Sequence, residues 1–446
     1  MREIARLAWP IAVSMLSYSA MTLVGTLFVA GSSGRSALAG VGLGGIAAMT
    51  LICFSIGLLR AVKTLVSQAV GAGRPGEAAA YRSAGLTLAL ALGAAAFAIG
   101  ELVAPLLAHI ASSPAAGHAA RVYLAIRMLE APLVHCFVAL REARYGEGDP
   151  RTPMLASLLS NGLNIGFDYL FVVVLHGGAA GAASGALCAT AIGVTALWLA
   201  SGRPRPAPLA RTPHLLAVWR IGIPTGVQFL LEVGAFSLLT MLVAAMPEAD
   251  MAAHQIVIQV IHFSFLPALA IGEAASVLAG QAVGARREEL VHSVARHGLA
   301  VAAIYTGACT LLFIIIGPWV LAHVASDAEV ARTAVSLLWI AAVFQIADGV
   351  NAVTRGVLRG AGDVRAPAVL GVITSWLCLP PLTGLFGYVL HWGVRGAWLA
   401  MCVEIFAGAL LFWFRLERGG WRPAAAAARA ELIDIEISPP GYVGET

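Results

Sequence analysis

Twelve apolar runs, each long enough to cross a bilayer, constrain this chain more than any other feature of its sequence. A helix needs about 20 residues to span the hydrocarbon core, where backbone polar groups must be satisfied inside a helix or a closed barrel. The runs lack the alternating pattern of barrel strands and therefore predict helices. The predicted spans are 7–30, 37–59, 83–108, 119–140, 153–175, 179–200, 217–245, 252–279, 295–322, 331–354, 367–390 and 396–414. The sequence thus predicts an all-α polytopic membrane protein.

The composition excludes several classes of protein. Hydrophobic residues make up 59% of the chain and charged residues only 12%, about half of ordinary globular usage, so no sizeable soluble domain is expected. The six cysteines fall inside predicted spans without a CxxC pair, which argues against disulfides, a structural metal or a cofactor. The net charge of +4 follows from the loops described next, so no nucleic-acid partner is expected.

Arginine and lysine are distributed unevenly between alternate loops. The loops near 109–118, 176–178 and 247–251 contain neither residue. The positive residues that follow the second, fourth, sixth, eighth and tenth spans are Arg60, Lys63, Arg74, Arg82, Arg141, Arg144, Arg151, Arg203, Arg205, Arg211, Arg220, Arg286, Arg287, Arg296, Arg355, Arg359 and Arg365. Positive loops stay in the cytoplasm, so this bias predicts that both termini are cytoplasmic.

The two halves of the chain repeat one another. QAVGA occurs at 68–72 and again at 281–285, and GEGDPRTP at 146–153 matches GAGDVRAP at 360–367 at five of eight positions. Arg6 and Pro10 likewise match Arg220 and Pro224. Six spans per copy give both copies the same orientation, which predicts parallel six-helix lobes related by a pseudo-two-fold axis along the membrane normal.

These repeats predict four regions. They are an N-terminal lobe at 1–201, a cytoplasmic linker at 202–216, a C-terminal lobe at 217–417 and a cytoplasmic tail at 418–446. The tail is too polar to cross a membrane, and its composition suggests partial disorder. Two lobes that enclose a cavity favour a carrier.

Two carboxylic acids lie within predicted spans of the second lobe. Glu232 is near the centre of the seventh span, and Asp348 is in the cytoplasmic half of the tenth. A charge at membrane depth costs roughly 2.5–3.5 kcal/mol on insertion scales, so each acid suggests a functional site. Together they could bind a shared cation or proton; hydrogen bonding between helices is the structural alternative.

Other polar residues are candidates for lining the cavity. Asn164 and Asp168 stand four apart, on one helix face of the first lobe, and packing between helices is an equally good interpretation. Gln255 and Gln259 share a face of the eighth span, and Glu273 lies towards its cytoplasmic end. The less central candidates, to which the sequence gives lower weight, are Glu101, Glu130, Glu404, His135 and His262.

Six segments together resemble the multidrug and toxic compound extrusion (MATE) family, in particular its NorM-like bacterial members. They are LVSQAVGAGR, GEGDPRTPM, LNIGFDYLF, IPTGVQFLLEVGAF, MAAHQIVIQ and QIADGVNAVTRGVLRGAGD. The likeness runs from about Arg6 to Arg415. It implies export of mostly cationic amphiphiles in exchange for Na⁺ or H⁺.

The resemblance also implies roles for individual residues. Glu232 matches an acid of the seventh helix, and Asp348 matches the tenth-helix acid of the NorM-type cation site, which makes both of them candidate Na⁺ ligands. Asn164 and Asp168 match a polar pair of the fifth helix. Two positions depart from some members of the family. Phe344, a candidate cavity residue four residues before Asp348, stands where some members have a tyrosine. Gly25 stands where several bacterial members have a first-helix aspartate that is implicated in proton coupling. Coupling is therefore expected in the second lobe.

The expected function is secondary antiport of organic cations by alternating access, in a monomer surrounded by lipid in the bacterial inner membrane. A flippase for lipid-linked sugars is the alternative, but it calls for a cationic cavity, whereas the central charges here are mainly acidic. A membrane-embedded enzyme is not expected, since neither HExxH nor GxSxG occurs. A receptor or scaffold would show no solute flux.

Overall fold

The computed structural model describes residues 1–111, 113–206, 213–325 and 327–437. Every regular element within these ranges is a helix. Residues 207–212 of the predicted linker, which include Arg211, and residues 438–446 of the predicted tail lie outside the described residues.

The helices follow one another with short connections. They are α1 (Arg2–Ser32), α2 (Gly34–Leu59), α3 (Ala61–Gly71), α4 (Pro75–Ile110), α5 (Pro114–Gly146), α6 (Arg151–Asp168), α7 (Gly178–Ala200), α8 (Pro213–Ala244), α9 (Glu248–Gly284), α10 (Glu289–Ile315), α11 (Gly317–Val324), α12 (Ala328–Gly360), α13 (Arg365–Leu382), α14 (Gly393–Glu417) and α15 (Arg422–Ile437). Two π-helical segments, Tyr169–Val174 and Thr383–Val389, continue α6 and α13.

Twelve helical spans in the described chain are long and apolar enough to cross a membrane, and each corresponds to one predicted run. This confirms the predicted all-α membrane fold with twelve spans. The repeat is also visible locally, because α6 and α13 both have 18 residues and both pass into a π-helical segment.

Several positive residues expected in loops lie inside helices. The second span continues through α3, which contains Lys63. Lys63 is 4% exposed, and its Nζ lies 3.8 Å from the Glu142 carboxylate of α5. Arg355 and Arg359 similarly belong to α12, which extends to Gly360. The prediction that these residues lie in loops was wrong, because α3 and α12 continue past the apolar runs and include them.

The predicted tail contains helix α15, where partial disorder was expected. Trp421 is fully buried just before this helix, and α15 packs against α9.

Contacts divide the chain into two compact units. Unit 1 comprises Met1–Trp9, Ser67–Pro75 and the chain from Leu231 onward; unit 2 comprises Pro10–Val66 and Gly76–Leu230. These units do not follow the sequence repeat, since α3 and α8 each contribute to both. The core of unit 1 surrounds α12, with α9 and α14 beside it, whereas in unit 2 α5 packs against α2 and α7.

The repeated QAVGA motif forms a helix crossing within unit 1. A Cβ atom on Gly71 would lie 2.7 Å from the carbonyl carbon of Gln281, and one on Gly284 would lie 2.8 Å from that of Gln68. Each glycine thus packs on the glutamine backbone of the other copy, an approach too close for a side chain. Gln68 Nε2 also donates to the Gly360 carbonyl at 3.1 Å.

The repeated Gly-Asp motif forms turns. In the first copy Thr152 Oγ1 donates to Asp149 Oδ2 at 2.6 Å, and Arg144 pairs with the same carboxylate. Burial alone would raise the pKa of Asp149, but hydrogen bonds from Thr152 and Arg151 and the Arg144 charge outweigh it and lower that pKa. In the second copy Asp363 instead accepts from Arg415 Nε at 2.7 Å.

Candidate functional site

The carboxylate of Glu232 in α8 forms an ion pair with Arg355 of α12. Arg355 Nη1 lies 3.1 Å from Oε1 and 3.2 Å from Oε2 of Glu232. The Arg355 side chain is 19% exposed and the Glu232 side chain is 22% exposed, so the ion pair is partly accessible to solvent. The guanidinium also lies over the Phe412 ring, 5.0 Å from its centroid.

Two further carboxyls, those of Asp348 and Glu404, lie near this pair. Arg355 lies within Coulombic range of both Asp348 and Glu404, and these two acids lie within range of each other. Asp348 precedes Arg355 by seven residues, about two helical turns, so both occupy one face of α12. Glu404 comes from α14 and accepts a hydrogen bond from Ser375 Oγ of α13 at 3.4 Å. The arrangement, named here the C-terminal cluster, consists of Glu232, Asp348, Arg355 and Glu404.

The C-terminal cluster has an excess of negative charge when its acids are ionised. One guanidinium cannot neutralise three carboxylates, so a proton or another cation is attracted to the group. In the described part of the chain, no group of three or more His, Cys, Asp or Glu side chains is arranged to hold a metal ion.

Two members of this cluster were missed or given little weight by sequence reasoning. Arg355 was placed in a cytoplasmic loop and Glu404 was judged less central. The helical spacing between Asp348 and Arg355 could have revealed the first, but nothing in the sequence connects Glu404 with Glu232 across 172 residues.

The other residues predicted in the second lobe lie apart. Phe344 is 1% exposed within the apolar core of unit 1, where its ring centroid lies 6.5 Å from that of Trp398. Glu273 is buried in the C-terminal half of α9, at 7% exposure. Gln255 and Gln259 are exposed on α9.

Unit 2 contains the predicted pair Asn164 and Asp168, which the structure does bring together. Both are 5% exposed. With the Asn164 amide oriented by its neighbours, its nitrogen donates to Asp168 Oδ2 at 3.3 Å and its oxygen accepts from the Ala186 N–H at 3.0 Å. One turn earlier, Asn161 Nδ2 donates to Ser17 Oγ of α1 at 2.7 Å.

Asp168 is enclosed by glycines. A Cβ atom on Gly25 would lie 2.7 Å from Asp168 Oδ2, and a Cβ atom on Gly185 would also collide with the carboxylate. The lack of a side chain at Gly25 thus leaves room for Asp168. The second carboxylate oxygen, Oδ1, is buried without a hydrogen-bond partner among the described residues.

An ion pair in unit 2 joins Arg127 to Glu130. Arg127 Nη1 donates to Glu130 Oε2, and Thr190 Oγ1 donates to Glu130 Oε1 at 2.6 Å. Glu130 is only 1% exposed, and Arg127 is within Coulombic range of Asp168. Glu130 had been judged less central from the sequence. Arg127, Glu130, Asp168 and Thr190 are named here the N-terminal cluster.

Comparison with known proteins identifies this architecture. The family model described as MatE matches residues 10–170 and 224–383. The chain belongs to the MatE family. The two matched segments begin at Pro10 and Pro224, the residues that the sequence repeat aligns. The chain is therefore a MATE transporter rather than an enzyme, as the sequence predicted, and it is a multi-pass membrane protein.

This transporter is similar over nearly its whole length to curated bacterial proteins. It is 29% identical to the "Probable multidrug resistance protein NorM" of Pseudomonas putida, covering 95% of this chain and 94% of that protein. It is 30% identical to the protein of the same name from Burkholderia pseudomallei, with 96% and 94% covered. Among solved structures, an outward-facing multidrug resistance MATE transporter of the MOP superfamily matches with a TM-score of 0.87 at 21% identity, covering 94% of this chain and 96% of the other.

Proposed function

We propose that this transporter is a secondary active antiporter that exports organic cations across the bacterial cytoplasmic membrane in exchange for H⁺ or Na⁺. The carrying observation is the C-terminal cluster, in which Glu232 pairs with Arg355 and the carboxyls of Asp348 and Glu404 lie within Coulombic range of the same guanidinium. The names of the bacterial relatives support small organic substrates, since both are described as multidrug resistance proteins.

Exchange follows from competition for the negative charge. An inbound proton or Na⁺ neutralises Glu232 or Asp348, weakens the hold on a cationic substrate and so favours its release. The Glu232–Arg355 pair opens during this step, because Arg355 occupies the position from which it would compete with an incoming cation. The ion must bind the two access states unequally, since a ligand with equal affinity for both would shift no population.

The available gradients are sufficient to drive export. A tenfold ion gradient supplies about 1.4 kcal/mol, and the membrane potential supplies about 2.3 kcal/mol per charge per 100 mV. Neither source requires ATP. Substrate accumulation outside the cell is therefore limited by the number of ions exchanged per substrate.

We assign substrate contact to the polar residues predicted to line the cavity. Gln255 and Gln259 support this role because they are exposed on α9, where their amides can meet a ligand. Asn164, Asp168, Glu273 and Phe344 are buried, so a ligand reaches them only after a rearrangement of the neighbouring helices.

For the topology, we propose six-helix lobes at 1–201 and 217–417, a linker at 202–216 and a tail at 418–446. Both termini are assigned to the cytoplasm because of the positive loops. The transporter is taken to work as a monomer that alternates between inward and outward access.

Uptake of a fluorescent organic cation by everted vesicles tests the proposal. Collapse of the proton gradient and of the Na⁺ gradient, each in turn, identifies the coupling ion. Glu232→Gln and Asp348→Asn are expected to reduce transport at least tenfold, whereas the exposed Glu289→Gln serves as the matched control and retains it. Wild-type transport in both cluster variants would exclude the assigned roles.

The flippase alternative requires a cationic cavity for a lipid-linked pyrophosphate. Arg127 and Arg355 are each engaged by a glutamate in this structure, so neither supports it. Movement of a lipid-linked sugar by the purified protein in liposomes, without flux of organic cations, would favour the flippase over the antiporter.

A further inference from the structure

A cavity of about 470 Å³ in unit 1 lies where the two QAVGA helix ends meet. Four arginines contribute to its wall, and the remaining wall is formed by small residues. Its lining consists of Gly71, Ala72, Arg74, Gly284, Ala285, Arg286, Arg287 and Arg429. The volume falls within the roughly 300–1,000 Å³ typical of small-ligand sites.

The lining carries positive charge from three separate segments. Arg74 follows the first motif, Arg286 and Arg287 follow the second, and Arg429 comes from α15. Among the described residues, no acidic residue lines the cavity. Glu288, adjacent in sequence to Arg287, accepts a hydrogen bond from Arg429 Nη1 and offsets one charge of the four.

The helix ends themselves do not need these side chains. In the first copy the Arg74 N–H donates to the Ala69 carbonyl at 2.9 Å, and in the second the Arg287 N–H donates to the Ala282 carbonyl at 2.9 Å. Such backbone bonds satisfy carbonyls that a helix C-terminus otherwise leaves unpaired. Capping therefore does not explain why guanidinium groups gather at both ends.

The backbone at Arg286 gives an independent indication. Its φ is +59°, in the left-handed region, whereas the corresponding residue of the first copy is Gly73 with φ +73°. Glycine adopts this conformation without strain and a residue with a Cβ does not. The second copy carries arginine despite that strain, which points to a use for its side chain beyond folding.

We propose that this cavity binds a phosphate-bearing anion whose oxygens accept hydrogen bonds from the four guanidinium groups. Arginine suits this ligand because its planar donors match phosphate oxygens in pairs. The phosphate belongs either to an anionic lipid headgroup or to a free phosphate in solution. Since Arg429 is one ligand, occupancy fastens α15 to the ends of α3 and α9. This proposal does not rest on the transport activity.

Thermal unfolding of the purified full-length protein in neutral detergent, followed by tryptophan fluorescence, tests the site. Titrations use inorganic phosphate, phosphatidylglycerol and, as the zwitterionic lipid control, phosphatidylcholine, all at one ionic strength set with NaCl. A ligand that binds only the folded state raises Tm as its concentration rises. A rise with inorganic phosphate identifies a free-phosphate site, and a rise only with phosphatidylglycerol identifies a lipid site.

Arg286→Gly separates binding from folding. It installs the residue of the first copy, so Tm without ligand stays unchanged or rises, while apparent affinity falls about fivefold. Arg286→Gly combined with Arg287→Gln is expected to weaken binding about twentyfold to thirtyfold, the product of two such losses. Arg365→Gln removes an exposed charge outside the cavity and retains wild-type affinity.

Three results would overturn the proposal. They are the absence of any Tm rise with phosphate or phosphatidylglycerol, an unchanged affinity in the double variant, and an equal loss of affinity in Arg365→Gln. The last would mean that general positive charge, rather than this cavity, attracts the anion.

Discussion

The C-terminal and N-terminal clusters both place one arginine beside one glutamate, but they differ in burial. The Glu232 side chain is 22% exposed, whereas the Glu130 side chain is 2% exposed and also accepts a hydrogen bond from Thr190; the two arginine side chains are equally exposed at 19%. A buried carboxylate strongly resists the loss of its partner, while a partly solvated carboxylate separates from its partner more easily. We infer that the C-terminal pair is suited to exchange ions and the N-terminal pair to hold helices together.

The two clusters also occupy different positions of the repeat. With Pro10 aligned to Pro224 and Gly146 to Gly360, Phe344 corresponds to Glu130. The position that holds Phe344 in the apolar core of the second half thus holds the buried acid Glu130 in the first half. Duplication preserved the helical frame, and the polar residues diverged within it.

The largest expected difference between the clusters concerns stability. Glu130→Gln removes the buried carboxylate that pairs with Arg127 and accepts from Thr190, and it is expected to lower the free energy of unfolding by about 3 kcal/mol. Glu232→Gln should lower it by less than about 1 kcal/mol, because that pair is partly solvated. Chemical denaturation of both variants in the same detergent measures the contrast, and equal losses would remove the distinction drawn from burial.

Packing around Asp168 gives the next largest effect. Gly25→Ala places a methyl group against the Asp168 carboxylate and is expected to cost about 2 kcal/mol, since the buried side chain must shift. Gly166→Ala is the matched control on α6, where a Cβ atom has open space, and should be neutral or stabilising by about 0.5 kcal/mol. The same denaturation measurement checks both, and a neutral Gly25→Ala would show that the enclosure is loose.

Removal of Arg355 distinguishes ion exchange from structural support in the C-terminal cluster. Arg355→Gln leaves three carboxyls without a counter-charge, so the bound cation is released slowly and transport should fall about tenfold, about 1.4 kcal/mol. Arg355→Lys keeps the charge but not the paired donors and should retain part of the activity. Vesicle uptake measures both, and an undiminished rate in Arg355→Gln would show that the arginine takes no part in exchange.

The smallest effect concerns pH and the turns of the repeated Gly-Asp motif. Because the folded pKa of Asp149 is lowered, its contribution to stability is complete above about pH 4 and is lost as the pH falls through that folded value. On a curve of Tm against pH, the Tm of Asp149→Asn should therefore fall less steeply as the pH is lowered. Glu289→Gln, an exposed control, should leave the curve unchanged; an unaltered curve in Asp149→Asn would contradict the assignment.

Prediction from sequence succeeded where the signal was periodic or repeated. The spans followed from the length and apolar character of the runs, and Asn164 and Asp168 met because four residues make about one helical turn. It failed at helix ends, where the helices that contain Lys63 and Arg355 continue beyond the predicted apolar run. The prediction of partial disorder in the tail also missed helix α15, although its alanine-rich segment favours a helix.

Hydropathy by itself determined that this chain forms a membrane bundle of twelve helices, because lipid offers no partner to an unpaired backbone group. The paired motifs indicated a duplication in the same way. Only the tertiary structure decided which charges meet: Glu232 with Arg355, Glu130 with Arg127, and four arginines around one cavity. These contacts join residues far apart in the chain, and they depend on how each helix is rotated and packed, which no local pattern specifies.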